Sequence, residues 1–433
     1  MSAAPIQTPD VEWFDHGRLG LFIHWGVYAL PARHEWVQSR EQIRPERYEL
    51  YSEHFDPDLF DARAWARDAR RAGFTYAVLT TKHHDGFCLW DSALTDYTAP
   101  KTTAGRDLVR EYVDAFRAEG LRIGFYHSLI DWHHPDFTVD GIHPLREDPA
   151  ELARNSERDL GVYREYLHGQ VRELLTGYGQ VDYLFFDFSY SQGIGGLPGK
   201  GATEWGSAEL LTMIRELQPR CLVNDRLEIG GDVTTPEQYQ PAVIPTDDAG
   251  QPVRWEACQT LNGSWGYDRD NLNDKSADLL VRMLVDTVSK NGNMLLNIGP
   301  DARGAIDART SARLTEIGDW MRLHSRSVYG AGPSDFTAPT DVRYTQRGDR
   351  LYVHVFAWPF VHLHLPGLGG RVRYAQLLAD GSEVPFQVHL PEHDQPNQHT
   401  QPIGLGADTV TLHLPVRAPN TPVPVIEVFL TEK

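Results

Sequence analysis

Along the first three quarters of the chain, short apolar runs alternate with longer stretches whose apolar positions return with helical spacing. The runs Leu19–Gly26 (LGLFIHWG), Tyr76–Thr81 (YAVLTT), Leu121–Phe125, Val181–Phe188 (VDYLFFDF), Cys221–Val223, Val253–Thr260 (VRWEACQT) and Asn293–Ile298 (NMLLNI) have the length and makeup of strands. Tyr183–Phe186 carries no charge, which predicts a strand buried on both faces in a parallel sheet covered by helices. Helices are expected over Phe60–Ala72, Asp107–Glu119, Tyr163–Leu175, Ala208–Leu217, Asp278–Lys290 and Leu314–Val328. Polar clusters follow the strands: His24-Trp25, Lys82-His83-His84-Asp85, Tyr126-His127-Ser128, Asp187 and Asn224-Asp225-Arg226. This alternation predicts an α/β fold, a TIM-like (β/α) barrel with irregularity allowed, whose site lies at the carboxyl ends of the strands. An open doubly wound sheet would need a switch point and usually a glycine fingerprint, and neither is visible.

From about Phe336 the pattern changes. Arg350–Ala357, Val361–Leu365, Arg371–Leu377, Phe386–Leu390, Thr409–Leu414 and Val425–Leu430 are short strand-like runs separated by turn residues, with no helix of useful length. They predict a small antiparallel β-sandwich over residues 335–433, following a catalytic barrel over 1–334. Two domains also suit a length of 433 residues, which exceeds what one core usually holds.

Charge narrows the partners. Lys+Arg 41 against Asp+Glu 60 gives a formal charge of −19, which repels nucleic acid and anionic membrane surfaces and favours a neutral small substrate. The amino terminus lacks a basic segment followed by an apolar one, and no run is long and apolar enough to span a bilayer, so a cytoplasmic protein is expected. Cys88, Cys221 and Cys258 lack metal-site spacing and are odd in number, against a disulfide framework. The glycine-rich Gly193–Gly201 fails the phosphate-loop spacing, since Ile194 stands at the first Gly and Gly201 at the Ser/Thr, and reads as a mobile loop. His362 and His364 share a strand face but have no third ligand nearby, so no metal is expected there.

The predicted top of the barrel gathers His24, Glu35, Trp36, His83, His84, Tyr126, Asp187, Arg226, Glu237, Glu256 and Trp265. By type this is a sugar site. Neutral histidines and an arginine bond hydroxyl groups, aromatics cover the apolar face of a pyranose, and carboxylates can cleave a glycosidic bond. Asp187, delivered by an apolar strand, is the candidate nucleophile; the plainer reading is a turn-capping aspartate. The blocks FIHWG, HEW, TKHHDGF, FFDFSY, NDR, TPEQ, WEACQTLNGSWGY and MLLNIGPDARG, from about Trp13 to Gly304, closely resemble in order those of the glycoside hydrolase family 29 α-L-fucosidases. The resemblance implies that Asp187 is the nucleophile, that His24, Glu35, Trp36, His83, His84, Tyr126 and Arg226 bind fucose, and that Trp265 lies near the sugar. It further implies retaining double displacement on a fucosylated oligosaccharide or glycoconjugate with no cofactor, and two carboxyl groups about 5–5.5 Å apart.

Two residues compete for the acid/base. Glu237 follows Asn224-Asp225-Arg226 in a short loop, where the resemblance places that role, and a loop carboxylate suits variable leaving groups; Glu256, in Trp255-Glu256, is expected to end a strand and is the more obvious choice from pattern alone. Glu237 is preferred. Two other readings compete with the glycosidase: a metal-dependent hydrolase, suggested by His83-His84-Asp85 and His133-His134, and a non-catalytic sugar-binding protein, disfavoured because Asp187 and both possible acids are present. Extended chelator treatment is expected to leave the hydrolytic rate unchanged. A proportional loss restored by a divalent ion would establish the metallohydrolase instead.

Overall fold

A computed structural model describes residues 9–389 and 405–431. Seven parallel strands, β1 (Leu19–Ile23), β2 (Tyr76–Lys82), β3 (Arg122–Ser128), β4 (Tyr183–Asp187), β5 (Leu222–Val223), β6 (Glu256–Thr260) and β7 (Asn293–Ile298), form one curled sheet in the order β5-β4-β3-β2-β1-β7-β6. Its two edges are joined by an irregular extended segment over 232–238. Val233 bridges in parallel to Asn224 beside β5, while Thr234 and Glu237 bridge to Trp255 and Cys258 on the β6 side. The segment falls short of a regular strand because Pro236 has no N–H to give and Gln238 sits at φ 61. The expected loop around Glu237 is therefore the closing stave of the barrel.

Side chains inside the barrel follow the two-residue alternation of the strands. Phe22, Tyr76, Val78, Tyr126, Tyr183, Phe185, Leu222, Cys258 and Leu295 form an inner cluster, sealed at the amino-terminal end by Phe14 from the helix Glu12–Gly17. Gly20 is required here, since a Cβ on it would stand 2.2 Å from the Tyr76 ring. Continuing the same alternation one step up β4 carries Asp187 to the open end. A second, larger cluster lies between the sheet and the outer helices.

Those helices span Ala62–Arg71, Leu108–Ala118, Leu160–Gly177, Ser207–Leu217, Ala277–Ser289 and Ala308–His324. Asp61, Asp107, Asp159, Ser276 and Asp307 cap five of them by accepting a backbone N–H of the first turn. The last helix begins six residues before the expected Leu314 because its first turns are polar and only the Asp307 cap marks the start.

Beyond the barrel, β8 (Val342–Arg347), β9 (Arg350–Val355), β11 (Val372–Leu377) and β14 (Val425–Leu430) make a sheet ordered β11-β14-β9-β8. β10 (His362–Leu365), β12 (Phe386–Val388) and β13 (Val410–His413) make the facing sheet, and the two enclose a separate apolar core. Leu390, expected to end one of these strands, lies outside the described residues, as do the two ends of the expected domain ranges. The sequence pattern missed β8, a polar edge strand with one neighbour. The sandwich docks on the last two barrel helices: Arg282 donates to the Phe356 carbonyl (2.8 Å), Arg343 to Asp286 (2.9 Å) and Trp320 Nε1 to the Val423 carbonyl (3.2 Å).

Candidate active site

Asp187 ends β4 beside a cavity at the carboxyl end of the barrel, lined by Phe22, His24, Trp36, His83, Tyr126, Phe185, Asp187, Phe188, Glu237, Cys258 and Trp265. Phe188 follows at φ 76, a conformation costing on the order of 1–3 kcal/mol for a residue with a side chain. It is held there because its ring packs on Trp36 (4.9 Å between centroids) and His84 (5.0 Å), while Leu129 N–H donates to the Asp187 carbonyl (3.0 Å). The turn leaves the carboxylate facing the cavity.

That carboxylate accepts from the Tyr126 hydroxyl (2.9 Å) and from Arg226 Nη1 (3.4 Å), with His84 Nε2 at 3.9 Å. Burial pushes its pKa up to about 6, with the Glu237 charge acting in the same direction and Arg226 and Tyr126 opposing. Arg226 Nη2 donates to Glu237 at 3.1 Å, so one guanidinium joins the two carboxylates. Its plane is set by Thr235, which accepts Nε on its hydroxyl and Nη2 on its carbonyl, both at 3.1 Å.

The histidines are neutral. Burial drives His24 down to about 3 and holds His83 and His84 well below the usual imidazole range. Ser128 gives its proton to the Ile130 carbonyl (2.8 Å), so His84 Nδ1 must donate to Ser128 Oγ (2.7 Å), leaving Nε2 a bare acceptor beside Asp187 but not bonded to it. His83 lies flat against Tyr126, 5.7 Å between centroids at 16°. Trp36 meets His84 edge-on and is backed by Trp132.

Of the residues expected from sequence, His24, Trp36, His83, Tyr126, Asp187, Glu237 and Trp265 line this cavity, and His84 and Arg226 flank Asp187. Glu35 is absent from the lining; it is buried and accepts the Gly266 N–H (2.7 Å), holding the loop that carries Trp265. Glu256 is not part of the site. It opens β6 rather than ending a strand, at the closed amino-terminal end of the barrel, where it accepts the hydroxyls of Tyr76 and Tyr183, themselves the first residues of β2 and β4. Nor is the loop 193–201 free-swinging at its base: Lys200 is buried against Asp140, and Tyr190 and Lys200 exchange backbone hydrogen bonds. Sequence reasoning missed Ser128, Thr235 and Asn297, which orient His84, Arg226 and His24. Asn297 was legible in principle, as an inward polar position in an apolar strand.

The adjacent His133 and His134 diverge, one stacked on Tyr97 and the other against Tyr166, and no trio of metal-binding side chains is grouped among the described residues. Two carboxylates joined by an arginine in a pocket of aromatics and neutral histidines, at the open end of a (β/α) barrel, define a carbohydrate-processing enzyme. Comparison with known proteins gives the particular kind. A family model described as Alpha-L-fucosidase matches residues 4–326. An α-L-fucosidase of Dictyostelium discoideum is 30% identical over 461 aligned positions, covering 97% of this chain and 92% of that one. Among solved structures, α-L-fucosidase isoenzyme 1 from Paenibacillus thiaminolyticus superposes with a TM-score of 0.89 at 46% identity, covering 98% of this chain and 99% of that one. A Bacteroides thetaiotaomicron family 29 enzyme, trapped as a covalent intermediate with 2-fluoro-fucosyl fluoride, superposes at 0.82 with 27% identity over 100% of both chains. The chain belongs to the α-L-fucosidase family, glycoside hydrolase family 29, and its activity is hydrolysis of α-L-fucosidic bonds.

The place of Glu256 generates a prediction. Burial raises its pKa from 4.5 to about 7, so the folded protein keeps a proton that the unfolded chain releases near 4.5. The resulting stability is complete below pH 4.5 and is lost as pH rises through 7. Glu256→Gln, always neutral, is expected to flatten the dependence of Tm on pH across that window and to keep activity within about tenfold of wild type. A loss of several orders of magnitude with unchanged Tm would return Glu256 to the chemistry.

Proposed function

We propose that the chain removes terminal α-L-fucosyl groups from oligosaccharides or glycoconjugates with retention of configuration, Asp187 acting as nucleophile and Glu237 as acid/base. The observation that carries this is the Arg226 guanidinium bonded to both carboxylates across one cavity. Asp187 attacks the anomeric carbon while Glu237 gives its proton to the departing oxygen; Glu237 then takes a proton from water, whose oxygen displaces Asp187. Tyr126 and Arg226 hold the Asp187 carboxylate in place until attack. Glu237 stands half-exposed at the rim, where leaving groups of different shape can reach it. His24 and His84, neutral and aimed by Asn297 and Ser128, and His83, neutral and packed against Tyr126, bond the hydroxyls of the fucose ring, and Trp36 and Trp265 wall the pocket, with Glu35 setting the Trp265 loop. The trapped Bacteroides intermediate supports the covalent step. Buried, unpaired Cys88, Cys221 and Cys258 support the reading that the protein works in the cytoplasm.

Asp187→Gly is expected to lower turnover of any cleaved fucoside by several orders of magnitude with an unchanged melting temperature; activity within about tenfold of wild type would remove it from the role. Because the nucleophile must be ionised, kcat/KM should fall as pH drops below about 6, where Asp187 takes up its proton. For Glu237→Ala, the formation of the fucosyl enzyme from a nitrophenyl fucoside should be slowed little and that from sugar leaving groups severely, and azide, which needs no base, should restore turnover. Azide rescue of Glu256→Ala and not of Glu237→Ala would reverse the assignment.

A further inference from the structure

The two side chains read above as sugar contacts, His24 and Trp265, come from distant parts of the chain, and one buried amide joins them. Asn297, near the end of β7 and 1% exposed, places Oδ1 2.6 Å from His24 Nδ1 and donates Nδ2–H to the Trp265 carbonyl at 2.7 Å. The second bond orients the amide, because a carbonyl can only accept and so must face the NH₂ group. The oxygen is thereby aimed at His24, and since that oxygen also only accepts, Nδ1 must carry the ring proton. Nε2 is left as a bare acceptor. The peptide that Asn297 grips is held from its other side too, where Gly266 N–H donates to Glu35 Oε2 at 2.7 Å. Gly299, two residues after Asn297, lets this peptide come close: a Cβ there would stand 2.8 Å from the Trp265 oxygen. The Trp265 ring is consequently fixed 5.2 Å from His24 and 5.9 Å from Phe22.

We propose that Asn297 is a positioning residue for sugar recognition, fixing His24 as the Nδ1–H tautomer so that Nε2 accepts a sugar hydroxyl proton, and setting Trp265 against the same ring. The proposal rests on the reading that His24 and Trp265 contact the fucosyl group. In this arrangement a hydroxyl must donate to His24, and a group that can only accept is rejected, because acceptor would face acceptor. Asn297 never touches the sugar. It acts through the tautomer of one neighbour and the position of the other.

The experiment measures L-fucose affinity by titration calorimetry from pH 5 to 8 for wild type, His24→Ala, Asn297→Ala, Asn297→Ser and Asn297→Asp. Asn297→Ala should weaken binding by about tenfold or more, as expected when a contact group is misplaced by a fraction of an ångström, with little change across the pH range. Asn297→Asp puts a carboxylate beside Nδ1 and favours the imidazolium, turning Nε2 into a donor. Its affinity should rise with pH by up to about tenfold per unit while His24 loses the added proton, a titration that a merely structural substitution would not introduce. Asn297→Ser, whose single hydroxyl can serve one partner, should fall between wild type and Asn297→Ala. Superimposable pH profiles for the Asp and Ala variants, or Asn297→Ala within twofold of wild type, would overturn the proposal. Should the variants fail to fold, nitrogen NMR of histidine-labelled wild type decides: Nδ1 protonated and Nε2 bare supports it, and the reverse tautomer overturns it. Unchanged affinity in His24→Ala would instead overturn the underlying reading of His24 as a sugar contact.

Discussion

The active end of this barrel depends on one guanidinium. Two carboxylates at the separation usual in retaining glycosidases, about 5.5 Å, would repel by roughly 3 kcal/mol at an effective dielectric of about 20, and Arg226 sits where it can offset such repulsion by bonding both Asp187 and Glu237. A lysine could supply the charge but not the fixed fork, because Arg226 also spends Nε and Nη2 on Thr235. Thr235 is in turn held by Asp225, which accepts its hydroxyl (2.7 Å) and its N–H (3.2 Å). Thr235 and Glu237, two residues apart on the closing segment of the barrel, share the face turned to the arginine, so both reach Arg226. Pro236 and the positive φ at Gln238 break the regular ladder around that geometry.

Much of this was legible in the sequence, and the reasons for success and failure are physical. Strand and helix alternation came through because apolar runs and helical spacing are strong signals, and the polar clusters after the strands follow from barrel architecture itself. Period-two alternation put Tyr183, Phe185 and Asp187 on one face, so the nucleophile candidate could be read from VDYLFFDF alone. Glu256 misled because period two is blind to depth. VRWEACQT says that Glu256, Cys258 and Thr260 share a face, but not where the run joins the sheet, and pairing begins only at Glu256 opposite Asn293. The first expected turn of that strand is spent on Trp255, whose indole donates to the Lys290 carbonyl (3.0 Å) outside the barrel.

Positioning residues were harder to see than contact residues. Ser128 and Asn297 are ordinary polar side chains whose meaning lies in partners far away in sequence, and Thr235 meets Arg226 only through the irregular path of the chain between them. Asn297 is 273 residues from His24, and Ser128 is 44 from His84. No local pattern encodes such a pair. What the chain does encode locally is the backbone that brings them together, through Gly20 and Gly299 where a Cβ would collide with a neighbour.

The same barrel also shows how one chemical group acquires opposite fates at its two ends. Glu256 and Asp187 are both carboxylates removed from water inside the strand ring, and both accept tyrosine hydroxyls. Burial raises both. Glu256 is opposed only by its two neutral donors, so its proton stays near neutral pH and the group serves as a hydrogen-bonded plug among Tyr76, Tyr183 and Asn293. Asp187 has Arg226 as well, whose charge opposes the effect of burial and favours the carboxylate form that a nucleophile needs. The cation at the open end thus supports an ionised carboxylate, whereas the closed end offers its carboxyl only neutral hydrogen-bond donors.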